Sequence, residues 1–285
     1  VYYGSEAGLE PGPVTGAHLT LSGDNRFGEK VSSGGDVDGD GFADLFVASR
    51  EQGQAFVYLG DEAGVSESPD IEVSGSGRFG SDIDSAGDVN GDGYGDLVVG
   101  AYQAGGQSEG SAWVYLGSAD GGVDQGAELA GTASEGGFGW SVAGVGDLQG
   151  DGFDDIVVGN YDINGPPGQV HVFEGSAEGI PAGEDSDADV FLEGPQGGDY
   201  FGFATAGVSD SDGDGCSEIL VGAWKTDSAY LFAVAAESCL APAAGDTGSG
   251  SRSDGCGCSA SGPGSTGTFL LGLLGLLGWT RSRRG

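Results

Sequence analysis

The sequence is poor in positive charge, with 9 lysines and arginines against 45 aspartates and glutamates and a formal net charge of −36. Nucleic-acid phosphates would repel such a chain, so nucleic acid is excluded as a partner. Only two histidines are present, His18 and His171, each inside a strand-like pattern that gives it a structural role. No serine or cysteine stands in a recognisable nucleophile context, so the residues offer no catalytic centre of that kind. Methionine is absent, the initiator included, and no export signal opens the chain, so the natural N-terminus is expected to be missing. Long hydrophobic runs are absent as well. The strongest, Phe269–Trp279, has eleven residues, short of the roughly twenty that span a bilayer.

Glycine is abundant, at 62 of 285 residues. The glycines punctuate short apolar runs, a pattern that predicts an all-β chain with many tight turns. Four acidic stretches of nine residues stand out: Asp36–Asp44, Asp88–Asp96, Asp147–Asp155 and Asp210–Glu218. Oxygen-bearing side chains occupy positions 1, 3, 5 and 9, and glycine holds positions 4 and 6. Hard cations such as calcium take six to eight oxygen ligands, and a loop this short supplies them only by curling round the ion. Three or four carboxylates in nine residues repel one another without a cation between them. Solvated Asp-Gly turns are the plain alternative for one copy, but four copies in one register favour the metal.

The predicted ligands are Asp36, Asp38, Asp40 and Asp44; Asp88, Asn90, Asp92 and Asp96; Asp147, Gln149, Asp151 and Asp155; and Asp210, Asp212, Asp214 and Glu218. Position 7 (Phe42, Tyr94, Phe153, Cys216) is expected to give its backbone carbonyl. Gln149 and Glu218 depart from the commonest choices, and Asp154 is expected to face solvent. An EF-hand would need a glutamate at position 12 between two helices. Valine stands there instead, and the runs LFVAS, LVVGA, IVVGN and ILVGA after the loops read as buried strands.

The loops begin at residues 36, 88, 147 and 210, spacing that indicates a repeat architecture. Each is preceded by an aromatic-glycine pair: Phe27-Gly28, Phe79-Gly80, Phe138-Gly139 and Phe201-Gly202. Each is followed by alternating strands at 55–60, 112–117, 170–175 and 229–234. Further short strands are expected at 18–22, 70–74, 127–130 and 188–193. Four strands per repeat, with the acidic loop between the first two, predict a β-propeller.

These motifs resemble the FG-GAP repeats of the integrin α-subunit propeller. Gly100-Ala101-Tyr102 and Gly222-Ala223-Trp224 keep the family's Gly-Ala, with an aromatic in place of proline; Gly159-Asn160-Tyr161 is weaker, and Val47-Ala48-Ser49 has lost the glycine. The resemblance covers residues 1–239. It implies about four calcium ions, one in each loop. It also implies a propeller of up to seven blades, of which four repeats are visible here. Val1–Leu9 aligns with Val57–Val65, so the chain is expected to begin inside a blade.

Residues 240–268 read as a Gly/Ser-rich linker. Residues 269–285 combine the apolar run, expected as a short hydrophobic helix, with a terminal arginine cluster that places the propeller outside the membrane. With Cys256 and Cys258 just upstream, this tail resembles the C-terminal sorting signal of myxobacterial surface proteins. The resemblance implies export, transient membrane anchoring through the tail, and cleavage at the cell surface or outer membrane. A zinc pair is the other reading of Cys256 and Cys258, though no second pair accompanies them. Cys216 and Cys239 are expected to form a disulfide stapling the last repeat, against two separate buried thiols.

The functional expectation is a non-catalytic, calcium-binding surface propeller for adhesion or recognition of a protein or carbohydrate ligand. The alternative is an accessory propeller of an enzyme, such as a hydrolase, whose catalytic part lies upstream. Paired acids serve glycosidases, but the acids here sit in the metal loops. Tyr102, Tyr161 and Trp224 follow equivalent strands and are candidates to line one face, with core or rim packing as the plainer reading of the three.

Overall fold

The computed structural model describes residues 19–161 and 166–233. Blade 1 contains β1 (Lys30–Gly35), β2 (Asp44–Ser49), β3 (Gln54–Tyr58) and β4 (Ile71–Ser74). Blade 2 contains β5 (Asp82–Gly87), β6 (Asp96–Ala101), β7 (Ser111–Gly117) and β8 (Val123–Ala130). Within each blade the strands pair antiparallel, each with the next.

A two-residue strand, β12 (Gly183–Glu184), leaves blade 3 and pairs in parallel with β8 of blade 2. Blade 3 itself contains β9 (Ser141–Gly146), β10 (Asp155–Asn160), β11 (Gln169–Phe173) and β13 (Val190–Glu193). Blade 4 contains β14 (Phe201–Val208), β15 (Glu218–Ala223) and β16 (Ser228–Ala233). The described residues therefore form an all-β propeller fold of four blades.

The expected four strands are met in blades 1 and 3. Blade 2 gains β12, and blade 4 shows three strands among the described residues. The strand expected at 18–22 is not formed over residues 19–22. The expected C-terminal helix, the linker, His18, Cys239, Cys256 and Cys258 lie outside the described residues.

The Phe-Gly pairs explain how a blade is anchored. Phe79, Phe138 and Phe201 are almost wholly buried. Each packs on the third strand of its own blade: Phe79 on Trp113, Phe138 on His171, Phe201 on Tyr230, with ring centroids 5.3–5.6 Å apart. Phe27 meets Phe56 in the same way. His171 thus occupies a position that is aromatic in every other blade. Its Nδ1 donates to the Asp185 carbonyl at 3.0 Å. The Asp185 carboxylate accepts the Thr132 N–H and hydroxyl, which ties the β12 excursion to blade 2. Each paired glycine sits at φ 80–81°. A β-carbon on Gly139 would stand 2.1 Å from the Ser111 carbonyl oxygen, so the close approach admits only glycine there.

Apolar clusters fill the spaces between successive blades. Phe46, Ala48 and Val57 of blade 1 meet Leu97, Val99 and Tyr115 of blade 2. Val98 and Val114 of blade 2 meet Ile156 and Val158 of blade 3, and Val157 and Val172 of blade 3 meet Ile219 and Val221 of blade 4. Central strands buried on both faces explain the continuous apolar runs after the loops. In blade 4 the other face is open. Leu220 pairs with Leu231 just as Val98 pairs with Val114, yet the leucines are 38% and 53% exposed where the valines are buried.

Candidate metal loops and the opposite face

Every acidic loop joins the first strand of a blade to the second, as the spacing predicts. In blades 1 and 2 a register shift at Gly35 and Gly87 turns the chain into the loop, and both glycines have positive φ. The carboxylate at position 1 then folds the loop over itself. Asp36 accepts the N–H groups of Asp40 (3.0 Å) and Gly41 (2.9 Å). Asp88, Asp147 and Asp210 repeat this with the N–H groups at their own positions 5 and 6. The position-5 carboxylate accepts the position-7 N–H in all four loops.

Position 9 is a clamp. Asp44, Asp96 and Asp155 have no exposed surface. One oxygen of each accepts the position-2 N–H, from Val37, Val89 or Leu148, at 2.7–2.8 Å. The other accepts a glycine N–H at or beyond the end of the third strand, from Gly60, Gly117 or Gly175, at 2.7–2.9 Å. Glu218, one methylene longer, turns both oxygens to Ser211 N–H. Burial, with the charges of neighbouring loop acids, raises Asp96 and Asp155 to about 7 against the pull of these hydrogen bonds. Burial also raises Asp44 and Asp38 above the usual carboxylate range.

The donor sets suit a hard cation. Carboxylate oxygens of Asp36, Asp38 and Asp40 lie within 4.8 Å of one another, as do those of Asp210, Asp212, Asp214 and Glu218. In the second loop Asn90 Nδ2 donates to Asp92. In the third, Gln149 Nε2 donates to Asp151 while its Oε1 is buried without a donor. An orphaned carbonyl oxygen at a ligand position is what a bound cation would satisfy. At position 7, Phe42 is 43% exposed, Tyr94 and Phe153 lie against the preceding loops, and Cys216 is disulfide-bonded.

Asp154 corrects an expectation. It does not face solvent. Its carboxylate reaches blade 2 and accepts Asp88 N–H at 2.8 Å, and burial raises its pKa. Gly87 makes room for it, since a β-carbon there would lie 2.1 Å from Asp154 Oδ2. Nothing in its own loop signalled this, because the partner is Asp88 of another blade.

At the opposite ends of the same strands, aromatic side chains form a row across blades 2, 3 and 4. Tyr102 meets Trp140 at 4.7 Å, Trp140 meets Tyr161 at 4.6 Å and Phe203 at 5.3 Å, and Tyr200 meets Trp224 at 5.4 Å. Trp224 is 49% exposed, and Lys225 Nζ stands 4.4 Å from its ring. The candidates Tyr102, Tyr161 and Trp224 are thus brought together. Trp140, Tyr200 and Phe203 were missed, although Trp140 and Phe203 directly follow Phe-Gly pairs.

The FG-GAP-like repeat family matches residues 36–99 and 88–158. Integrin alpha-4 of Xenopus laevis is 34% identical over 149 residues, which are 47% of this chain and 14% of that protein. Integrin alpha pat-2 of Caenorhabditis briggsae is 30% identical over 218 residues, 70% of this chain and 18% of its own length. Integrin alpha-V of Gallus gallus is 32% identical over 225 residues, 73% of this chain and 21% of its own. The chain therefore spans only a small part of these relatives. Matched motifs, blade topology and loop placement agree: residues 36–158 match FG-GAP-like repeats, and the propeller is similar to part of integrin α-subunits.

Proposed function

We propose that the chain is a non-catalytic, calcium-binding recognition module displayed at a cell surface. The observation that carries the metal is the gathering of Asp210, Asp212, Asp214 and Glu218 oxygens within 4.8 Å. Like charges held that close are unfavourable without a counter-ion. Each loop holds one calcium, about four in all. Position 9 then serves both the backbone and the ion, because a carboxylate has about four lone-pair sites.

Recognition is assigned to the aromatic row. Aromatic side chains offer contact area at low entropic cost, and Trp224 presents its ring to solvent. The ligand class is a surface protein or carbohydrate. The likeness to integrin α-subunits supports adhesion. Export with removal of residues 269–285 rests on the sorting-like tail.

Calorimetric titration of the chelator-treated protein is the test of the metal. Extracellular calcium modules bind at roughly 10⁻⁴–10⁻³ M, so heat saturating at millimolar calcium is expected and its absence overturns the reading. For recognition, Trp224→Ala should abolish binding to glycan or matrix-protein arrays while leaving calcium uptake intact. Retained array binding would remove the aromatic row from the proposal.

A further inference from the structure

The first three loops touch one another in series, through contacts that recur from blade to blade. Gly95, at position 8 of the second loop, donates its N–H to the carbonyl of Asp36 at 2.6 Å. Asp154, at position 8 of the third, donates to the carbonyl of Asp88 at 3.0 Å. The aromatic ring at position 7 covers the position-4 glycine of the loop before it. A β-carbon on Gly39 would lie 2.7 Å from the Tyr94 ring, and one on Gly91 would lie 2.8 Å from the Phe153 ring. Position 2 is held from the next blade as well: Ser118 N–H donates to Val37 and Ser176 N–H to Val89. The Asp154 carboxylate adds a second bond between the second and third loops.

The fourth loop breaks the series. Its position 7 is Cys216, not an aromatic, and Cys216 is disulfide-bonded. Its position 8 is Ser217. Among the described residues Ser217 makes no backbone bond to Asp147 of the kind that Gly95 and Asp154 make.

Resting on the calcium reading above, we infer that the first three loops form one coupled row of cation sites and that the fourth fills independently. The residues a cation would fix in one loop, at positions 1 and 7, are the residues whose backbone or ring holds the neighbouring loop. Ordering one loop therefore removes part of the conformational entropy that binding in the next would otherwise cost, which gives positive cooperativity. Coulomb coupling has the opposite sign, since a bound cation weakens the negative field its neighbour feels. Between exposed loops that term fades beyond about 8 Å at physiological salt. The contacts do not fade with salt.

Amide spectra resolve each site separately, because Gly41, Gly93, Gly152 and Gly215 each donate to the position-1 carboxylate of their own loop. Calcium is titrated at 0.15 M salt while these four signals are followed. Asp40→Ala empties the first site. Coupling of ordinary allosteric size then weakens the second site by about fivefold or more and leaves the fourth unchanged. Linkage is reciprocal, so Asp92→Ala weakens the first site by the same factor. Asp154→Ala removes one tie, the carboxylate bond to Asp88 N–H, and keeps every ligand side chain in place. It should reduce the coupling between the second and third sites and spare that between the first and second. Amide signals of Leu97–Ala101 confirm that each variant is folded.

Affinities at neighbouring sites that stay within twofold of the parent in both loop variants overturn the coupling while the calcium reading stands. Equal coupling to the fourth site overturns its independence. No response of any glycine to calcium is a different result, and it sinks the calcium reading itself.

Discussion

Asp96→Asn tests the clamp at position 9 with almost no change in volume. Asp96 is fully buried and accepts N–H groups from Val89 at 2.8 Å and Gly117 at 2.9 Å. Asparagine keeps one acceptor oxygen and turns an NH₂ toward the other donor. One hydrogen bond is lost and a buried donor is left unsatisfied, at about 1–3 kcal/mol. Burial, then the charges of Asp88 and Asp92, raise the Asp96 pKa to about 7. At pH 5 the parent is therefore protonated, and its hydroxyl oxygen still accepts where the asparagine NH₂ does not, so a cost of about 2 kcal/mol is expected there in calcium-free protein. The parent loses this group's stability as pH rises through about 7 and asparagine does not titrate, so the cost should be smaller at pH 8 than at pH 5. Urea unfolding in chelator at pH 8 and pH 5 reads this as a shift of midpoint at constant slope. A cost below about 0.5 kcal/mol at pH 5, within the range of ordinary surface substitutions, would refute the clamp. So would an equal cost at both pH values.

The pH dependence of the metal-free protein follows from the same groups. Asp96 and Asp155 are raised to about 7 in the folded state, from about 3.9 unfolded. A raised acid contributes stability that is complete below its unfolded pKa and lost as pH rises through the folded one. The melting temperature without calcium should therefore fall between pH 5 and pH 8, and calcium uptake near pH 6 should release protons, measurable by pH-stat. Chelation should lower the melting temperature and open Leu97–Ala101 and Asp155–Asn160 to hydrogen exchange, and magnesium should rescue poorly because it needs smaller, near-octahedral sites; unchanged melting in chelator would make calcium structurally idle. Lys30→Ala removes the 2.9 Å partner of Asp82, whose pKa burial already raises, so the variant should lose more stability at pH 8 than at pH 5. Val157→Ala, between two blades, should cost about 2 kcal/mol, and Leu220→Ala at the equivalent but open position under about 1 kcal/mol; equal costs would mean that the outer face of blade 4 is covered in solution.

The sequence by itself determined the fold class and the placement of the acidic loops. Each rests on local chemistry. Alternation and glycine punctuation write strands and turns, and oxygen donors at positions 1, 3, 5 and 9 write a loop that curls on itself. Asp36 and Asp88 need only their own loop's N–H groups to close it, so their role is legible within nine residues. The role of His171 is nearly legible, because Phe56, Trp113 and Tyr230 stand at its position in the other repeats.

Tertiary structure decided what depends on a neighbour far along the chain. Asp154 looked solvent-facing because nothing within its own loop uses it, and its partner is Asp88 of another blade. The double service of Asp44, Asp96 and Asp155 was hidden for the same reason, since one of their two donors comes from the end of the third strand or just beyond it. The aromatic row needed three blades side by side before Trp140, Tyr200 and Phe203 could join Tyr102, Tyr161 and Trp224. The exposure of Leu220 was invisible in a run, ILVGA, whose counterparts are buried on both sides. Hydropathy records what a strand is able to bury, and only the packed blades show which face has met a partner.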